Sequence, residues 1–272
     1  MSRSRSEDAE DMTEDPWRAR GQRRAPRDAR DGRSMSAKGR RCYPVAAMSA
    51  KYPRSFHLPW SPGGTSDDKR MADVSGLLGV EIVITEKCDG SNLTYTRASV
   101  FSRSHAGPPS HPSFDLAKAT HASIAHLLSE GMSLFCEYCY AVHSIEYEAL
   151  PGYSLVFGVR DDVRGLFWEW DMVVAQANDL GLPTVPVLFR GTVEGERELE
   201  ALTTALAREP SAFGGPREGV VVRAAGEFPD AAFQRRLAKW VRRGHVQTDE
   251  HWMHQEIRPQ RLAPAPVSAS PP

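Results

Sequence analysis

The sequence has few cysteines, no long apolar run and almost no net charge. Four cysteines in 272 residues are too few and too unevenly placed for a disulfide framework, so reduced thiols are expected. No apolar run approaches the ~20 residues that a membrane span needs, and no signal peptide opens the chain. These absences predict a cytoplasmic protein with no membrane partner. The formal net charge of −1 excludes a uniformly basic surface, so any nucleic-acid site must be a local patch.

Two polar ends flank a body with regular hydrophobic patterning. Residues 1–47 hold 12 Lys and Arg against 8 Asp and Glu and lack apolar periodicity, which favours a disordered tail over a nucleic-acid-binding arm. We therefore expect a disordered basic extension over 1–50, one folded domain over 51–258, and a flexible Pro/Ala/Ser tail over 259–272. Met48 opens a segment typical of a natural protein start, so a mis-called start is the alternative for the extension.

Strand patterning predominates in the body. Strands are predicted at 80–86, 92–97, 99–103, 133–140, 153–160, 185–190, 218–224 and 237–242, and helices at 115–130, 170–180 and 196–208. The proline and glycine residues of 51–75 predict an irregular segment lying on the core. The regular βαβ alternation of a parallel sheet is missing, so the expected fold is α+β, with antiparallel sheets flanked by helices.

One lysine stands where a covalent nucleophile belongs. Lys87 follows the apolar run 80–84, and Asp89-Gly90 is a common hairpin turn. We therefore expect a hairpin that returns as the strand at 92–97 and holds the amine at a sheet rim. Lys-x-Asp-Gly is the signature of enzymes that attack a nucleoside triphosphate with lysine and carry the nucleotide as a phosphoramide. Taken alone, the tetrapeptide also fits a solvated edge lysine beside an ordinary turn.

Five later segments, in a fixed order, give this lysine its context. They are Phe-Ser-Arg-Ser at 101–104, Leu-Phe-Cys-Glu-Tyr at 134–138, Leu-Val-Phe-Gly-Val at 155–159, Arg-Glu-Gly-Val-Val-Val-Arg at 217–223 and Leu-Ala-Lys-Trp-Val-Arg at 237–242. This series resembles the ATP-dependent RNA ligase family, among the covalent nucleotidyltransferases that include DNA ligases and messenger-RNA capping enzymes. The resemblance implies an ATP-grasp-like nucleotidyltransferase domain. In a departure from DNA ligases and capping enzymes, we expect no appended OB domain after the last motif. The resemblance further implies ATP with Mg²⁺ or Mn²⁺, and RNA, alone or in an RNA/DNA duplex, with 3′-hydroxyl and 5′-phosphate ends.

The resemblance also implies roles for individual residues. Lys87 would become the AMP-lysine, Glu86 would help to hold adenine, and Phe157 would stack on the base. Asn92 would meet the 5′-phosphate end of the nucleic acid. Arg103 would contact phosphate or the nucleotide, and Lys239 would touch the α-phosphate. Glu137 would bind the ribose or organise metal-bound water, and Glu218 would help to hold the metal, so both glutamates are the expected metal residues. Taken one at a time, such charged residues are commonly solvated, and such a phenylalanine commonly lies in the core. The prediction therefore depends on their occurring together and in this order after Lys87.

The last motif departs from the family pattern. Members often carry two lysines at alternate positions, but the second position here is Val241. Arg242 or Arg243 is therefore expected to supply the second cation, since arginine holds phosphate as well as lysine does.

The remaining alternatives concern a zinc site and two other functions. Cys136 and Cys139, with His143, form at most half of a structural zinc site, and no second Cys-x-x-Cys exists. Residues three apart on a strand face opposite ways, so packing is the favoured role of the two thiols. A minimal ATP-dependent DNA ligase and a non-catalytic module that binds nucleotides or nucleic-acid ends stay open as alternatives to an RNA ligase.

Overall fold

Two β-sheets form the framework of the protein. The structure is a computed structural model that describes residues 51–64, 67–105, 107–245 and 257–264. In order across the first sheet lie β1 (Phe56–His57), β11 (Leu237–Val241), β9 (Gly219–Ala224), β2 (Glu81–Lys87) and β8 (Val187–Thr192). Across the second lie β10 (Phe228–Pro229), β7 (Leu166–Phe167), β6 (Ser154–Asp161), β5 (Met132–Tyr138), β3 (Ser91–Tyr95) and β4 (Val100–Ser102). Every pairing between these strands is antiparallel except that of β1 with β11.

The described part of the chain contains four α-helices. They are α1 (Asp115–Ile124), α2 (Trp170–Asp179), α3 (Glu196–Arg208) and α4 (Phe233–Arg236). The α+β prediction is therefore confirmed. The helix predicted over 115–130 ends early, because Ala125–Leu127 forms a 3₁₀ turn and the next residue is extended. In the segments that the structure describes, no helix is long and apolar enough to cross a bilayer.

The alternation of side chains along β2 separates a core from a cavity. Ile82 and Ile84 join an apolar cluster with α3, which contributes Leu199 and Ala207 from one helical face. Thr85 and Lys87 point to the other side of the strand and line a cavity. Val83, on the opposite face from Ile82 and Ile84, packs into the apolar cluster of the second sheet, so β2 is buried on both faces and its apolar run is continuous.

The hairpin predicted at Asp89-Gly90 is wrong. β2 pairs with β8 and β9, whereas β3 pairs with β4 and β5, so the chain passes from one sheet to the other between Lys87 and Ser91. Gly90 does not adopt the positive φ that a type I′ turn requires.

Contacts remote in sequence fix this crossing. The carboxylate of Asp89 accepts hydrogen bonds from the backbone N–H and the hydroxyl of Ser144, both at 2.8 Å, and from the N–H of Ile145 at 2.8 Å. The N–H of Asp89 donates to the Tyr147 hydroxyl at 2.8 Å. A Cβ on Gly90 would lie 2.6 Å from the carbonyl oxygen of Tyr138, so only glycine fits between the sheets here. A tertiary connection thus replaces the expected local turn.

A C-terminal strip packs on the domain beyond the predicted boundary at 258. Gln260 is buried; its side-chain oxygen accepts from the N–H of Tyr147 at 2.6 Å, and its amide nitrogen donates to the carbonyl of Ile145 at 2.7 Å. Leu262 forms a bridge with Leu150. Residues 259–264 therefore pack on the domain, although their composition is typical of a flexible tail. Hydrogen bonds of the Gln260 side-chain amide hold them there. The rest of the predicted tail and the predicted extension over 1–50 lie outside the described residues.

The described cysteines are free and buried. Cys136 and Cys139 belong to the apolar cluster on the second sheet, and Cys88 joins them there. The packing role predicted for the Cys-x-x-Cys pair is confirmed. Cys42 lies outside the described residues.

Candidate active site

A cavity of about 760 Å³ opens between side chains of the two sheets. The first sheet contributes Thr85, Lys87, Val221, Arg223 and Lys239, and the second contributes Asn92, Glu137 and Phe157. The strand register explains this grouping: Thr85 and Lys239 both lie opposite Val221, and Asn92 lies opposite Glu137. Residues paired across strands point to the same face of a sheet. Side chains far apart in the sequence therefore meet in one space.

Lys87 stands at the cavity wall with a carboxylate beside its amine. Its Nζ lies 2.7 Å from Oε1 of Glu218, which is fully buried, while the lysine side chain is 16% exposed. Burial lowers the pKa of Lys87, but the carboxylates of Glu218 and Glu137 outweigh burial and hold the pKa above its ordinary value. In this state the lysine is an ammonium ion. A nucleophilic role requires that it lose a proton when substrate binds.

Three buried groups beside Lys87 form a cluster that fits a divalent cation. Ligand atoms of Asp89, Glu218 and His245 all lie within 4.8 Å of one another. Nε2 of His245 is 3.2 Å from Oε1 of Glu218 and 3.5 Å from Oδ1 of Asp89. Burial lowers the pKa of His245, but the two carboxylates raise it to about 9, so a positive charge already lies between them. Two carboxylates and an imidazole suit Mg²⁺ or, better, Mn²⁺.

The predicted metal pair matches this cluster only in part. Glu218 is a member, whereas Glu137 is not among the three groups. Glu137 instead accepts a hydrogen bond from the N–H of Gly90 at 3.1 Å, and burial, opposed by Lys87, raises its pKa to about 7. Sequence reasoning missed Asp89, which it treated only as a turn residue, and His245, which follows the last motif. Their positions in the sequence could have indicated both residues, because Asp89 lies within the Lys-x-Asp-Gly motif and His245 lies three residues after the last motif.

Glu86 contributes to the cavity wall, but its carboxylate is bound on the other face of the sheet. It accepts hydrogen bonds from the hydroxyl of Ser211 and the N–H of Ala212 and lies 3.4 Å from Nε of Arg217. Neighbouring residues on a strand point to opposite faces, so Glu86 and Lys87 cannot both direct their side chains into the cavity. The carboxylate of Glu86 is therefore a structural group here, in contrast to the adenine contact that the resemblance implies.

Phe157 lines the cavity from β6 with part of its ring covered. The ring of Tyr52 lies 5.0 Å from that of Phe157 and 4.8 Å from that of Phe135, in edge-to-face arrangements. The irregular segment before β2 therefore contributes an aromatic ring to the same space. A stacking base would share Phe157 with Tyr52.

The two predicted arginines differ in position. Arg103 follows β4, is exposed and lines the cavity. Arg242 is not among the described residues that line the cavity. It stands three positions after Lys239, and this odd spacing turns its side chain away from the face that Lys239 shares with Val241. The phosphate role predicted for Arg242 is therefore not supported by its position.

Three comparisons relate the chain to known proteins. A protein-family model described as RNA ligase matches residues 80–241. A search of curated proteins found no match. Among solved structures, a variant of Naegleria gruberi RNA ligase with ATP and Mn is 19% identical, with a TM-score of 0.48 over 63% of this chain and 52% of that one. The same enzyme with PPi is 21% identical, with a TM-score of 0.48 and the same coverage.

The matches cover different shares of the chains. The chain spans 52% of the length of these solved relatives. The family model, however, covers more than half of the present chain and includes the strands that carry Lys87, Glu137, Phe157 and Lys239, as well as Glu218. On this match, the chain belongs to the RNA ligase family.

Proposed function

We propose that this chain is an ATP-dependent RNA ligase that joins 3′-hydroxyl and 5′-phosphate ends through a lysyl-AMP intermediate. One observation carries the proposal: the amine of Lys87 stands on a cavity that also contains Lys239, Glu137 and Asn92, with Glu218 at 2.7 Å. A lone surface lysine beside a turn would show none of these neighbours. A purely structural ion pair would need no cavity beside it.

In the first step, the amine nitrogen of Lys87 attacks the α-phosphorus of ATP. A nitrogen–phosphorus bond forms, the bond from the α-phosphorus to the bridging oxygen breaks, pyrophosphate leaves, and the ammonium proton must be lost before attack. Glu218 touches the amine and is placed to orient it. Lys239 lies on β11, which β9 separates from β2, and lines the same cavity. It therefore offers a second cation to the phosphates of a bound nucleotide.

The metal cluster described above has a place in this step. Asp89, Glu218 and His245 would hold Mg²⁺ or Mn²⁺, and such an ion, when bound, supplies positive charge to the phosphate oxygens. The residues themselves suit this role, because Asp89 is fixed by three hydrogen bonds to one oxygen and its other oxygen stays directed at the cluster. Glu218 connects this cluster to the nucleophile, because its Oε1 contacts both Lys87 and His245.

The later steps use the other wall of the cavity. A 5′-phosphate oxygen attacks the AMP phosphorus, breaks its bond to Lys87 and gives an adenylylated end; a 3′-hydroxyl then displaces AMP and seals the strand. Asn92 lies on β3 directly opposite Glu137 and faces the cavity, so it is placed to donate to the 5′-phosphate. RNA is the proposed strand because of the family.

Labelling with α-³²P ATP and Mg²⁺ or Mn²⁺ tests the proposal. The parent chain should acquire a label that is stable to alkali and cleaved by acid, as a phosphoramide requires, and Lys87→Ala should acquire none. Lys118→Ala is the matched control, because Lys118 is a partly exposed lysine on α1 with its own carboxylate partner, and it should label like the parent.

Labelled chain mixed with 5′-phosphorylated RNA or DNA strands then tests the choice of strand. Transfer of AMP to RNA ends and sealing of RNA support the proposal, and preference for DNA ends would identify a DNA ligase. Absence of label in the parent chain would leave the binding module as the better description.

A further inference from the structure

Residues before the family match build a second charged group at the cavity. β1 runs beside β11, and His57 lies opposite Lys239 in register. The following loop is fixed to the same strand, since the N–H of Gly63 donates to the carbonyl of Val241 at 2.9 Å. A Cβ on Gly63 would lie 2.4 Å from the carbonyl oxygen of Arg242, so a side chain there would displace the loop. The loop is therefore held against the strand that carries Lys239 at Gly63.

Near this strand, three nitrogen groups surround one carboxylate. Oδ1 of Asp68 lies 3.0 Å from Nη2 of Arg54 and 4.0 Å from Nζ of Lys239, and Oδ2 lies 3.6 Å from Nε2 of His57. Arg54 and Lys239 both line the cavity. Asp68 thus holds two cations side by side at the cavity wall.

The ring of His57 is held between Ser61 and the same carboxylate. Its Nδ1 lies 2.9 Å from the hydroxyl oxygen of Ser61, and that oxygen accepts the N–H of Val241 at 3.0 Å. The other ring nitrogen, Nε2, lies 3.6 Å from Oδ2 of Asp68. His57 is only 2% exposed, and this nitrogen makes no hydrogen bond to the described residues. Burial and the nearby Lys239 lower the pKa of His57 to about 4, so the ring is neutral.

The order of the strands shows where this charged group lies relative to Lys87. β2 carries Lys87, β9 follows, β11 carries Lys239, and β1 with its loop lies beyond. Displacement at phosphorus places the attacking and leaving groups on opposite sides of the phosphorus. A leaving group that departs along the first sheet would pass Lys239 and then reach Arg54.

We propose that Arg54 and Lys239 together bind the β- and γ-phosphates of ATP and the departing pyrophosphate, with Asp68 positioning Arg54 beside Lys239. This inference rests on the proposed function. It also supplies, from a segment 33 residues before the nucleophile in the sequence, the second cation that Arg242 does not direct into the cavity. A planar guanidinium gripping two phosphate oxygens suits a leaving pyrophosphate better than a single ammonium does.

The test separates ligands that carry β- and γ-phosphates from ligands that lack them. Calorimetry on the full chain with Mg²⁺ measures the dissociation constants of tripolyphosphate and of AMP. In Arg54→Ala, tripolyphosphate should bind about ten- to a hundredfold more weakly, the effect of one charge-assisted contact, while AMP binding should be unchanged. Arg54→Lys should recover part of the loss.

Arg164→Ala is the matched control. Arg164 is 59% exposed against 50% for Arg54, is likewise ion-paired, and is not among the described residues that line the cavity. Its tripolyphosphate and AMP affinities should equal those of the parent. Equal losses for AMP and tripolyphosphate in Arg54→Ala, or equal losses in both variants, would overturn the proposal.

Two kinetic measurements distinguish pyrophosphate from the 5′-phosphate of RNA. Pyrophosphate-driven release of AMP from labelled chain should weaken in Arg54→Ala, while transfer of AMP from labelled chain to 5′-phosphorylated RNA should not. The reverse pattern would assign Arg54 to the RNA end and refute the inference. If the parent forms no lysyl-AMP, the proposed function fails, and the tripolyphosphate measurement still decides the role of Arg54.

Discussion

Replacement of Glu86 with alanine should lower the free energy of unfolding but leave the apparent KM for ATP almost unchanged. The buried carboxylate binds Ser211 and Ala212 and faces Arg217, which is itself only 6% exposed. Its removal leaves the guanidinium without this partner and the N–H of Ala212 without its acceptor. Breaking a buried pair in this way costs about 3–5 kcal/mol.

A second glutamate on the same strand provides a control for that loss of stability. Glu81 is 50% exposed and pairs with Arg190 at 2.9 Å at the surface. Exposed pairs contribute roughly 0–1 kcal/mol, so Glu81→Ala should change the free energy of unfolding by no more than about 1 kcal/mol. Glu86→Gln keeps an acceptor but loses the charge, and its stability should lie between those of the parent and Glu86→Ala.

Two assays on the same variants decide the role of Glu86. Urea unfolding at 25 °C, followed by tryptophan fluorescence, gives the free energy of unfolding, and AMP labelling over a range of ATP concentrations gives the apparent KM. Because the carboxylate lies on the face opposite Lys87, KM for ATP should stay within about twofold of the parent, a change below 0.5 kcal/mol. A Glu86→Ala protein of parental stability with a much higher KM would refute this reasoning and restore the adenine contact.

Two further predictions concern backbone spacing and charge. Gly219→Ala should lower the free energy of unfolding in urea by about 3 kcal/mol, because a Cβ there would lie 1.9 Å from the carbonyl oxygen of Trp240. In the control Gly226→Ala the Cβ enters open space, so the free energy of unfolding should change by about 0.5 kcal/mol or less. Equal stabilities of the two variants would contradict the close approach at Gly219. Burial and the neighbouring Lys87 lower the pKa of Lys239 to about 8, so its positive charge is lost as the pH rises through that value. The affinity of the parent for α,β-methylene ATP, measured by calorimetry, should therefore fall between about pH 7 and about 9. In Lys239→Arg the side chain stays charged, so the affinity should stay constant over the same range. Parallel pH profiles in the two proteins would show that Lys239 is not the titrating group.

Local patterning predicted the elements better than their partners. The helix α3 was predicted with its observed bounds, because its apolar face repeats at helical spacing between clear limits. The short strands β1, β7 and β10 were missed, since two residues show no periodicity. The hairpin after β2 failed for a different reason. Asp89 binds a segment 55 residues later, and no local pattern records such a contact.

The site shows the same division between local and tertiary information. Strand order brought seven of the nine predicted site residues to one cavity: Glu86, Lys87, Asn92, Arg103, Glu137, Phe157 and Lys239. The opposite orientations of Glu86 and Lys87 could have been read from their adjacency on a strand. The charges of Arg54 and Asp68 could not have been placed beside Lys239 from the sequence. That placement depends on a parallel pairing between β1 and β11 across 182 residues of chain.

The crossing between the sheets limits how the cavity can open. Only Cys88, Asp89 and Gly90 separate the last residue of β2 from the first residue of β3, and four extended steps of chain reach at most about 14 Å. With Asp89 also tied to Ser144 and Ile145, the sheets cannot spread at this edge to admit a bulky substrate. Arg54 and Arg103 are the two exposed arginines among the described residues of the cavity wall. A polyanion arriving there would meet positive charge before it reached the nucleophile.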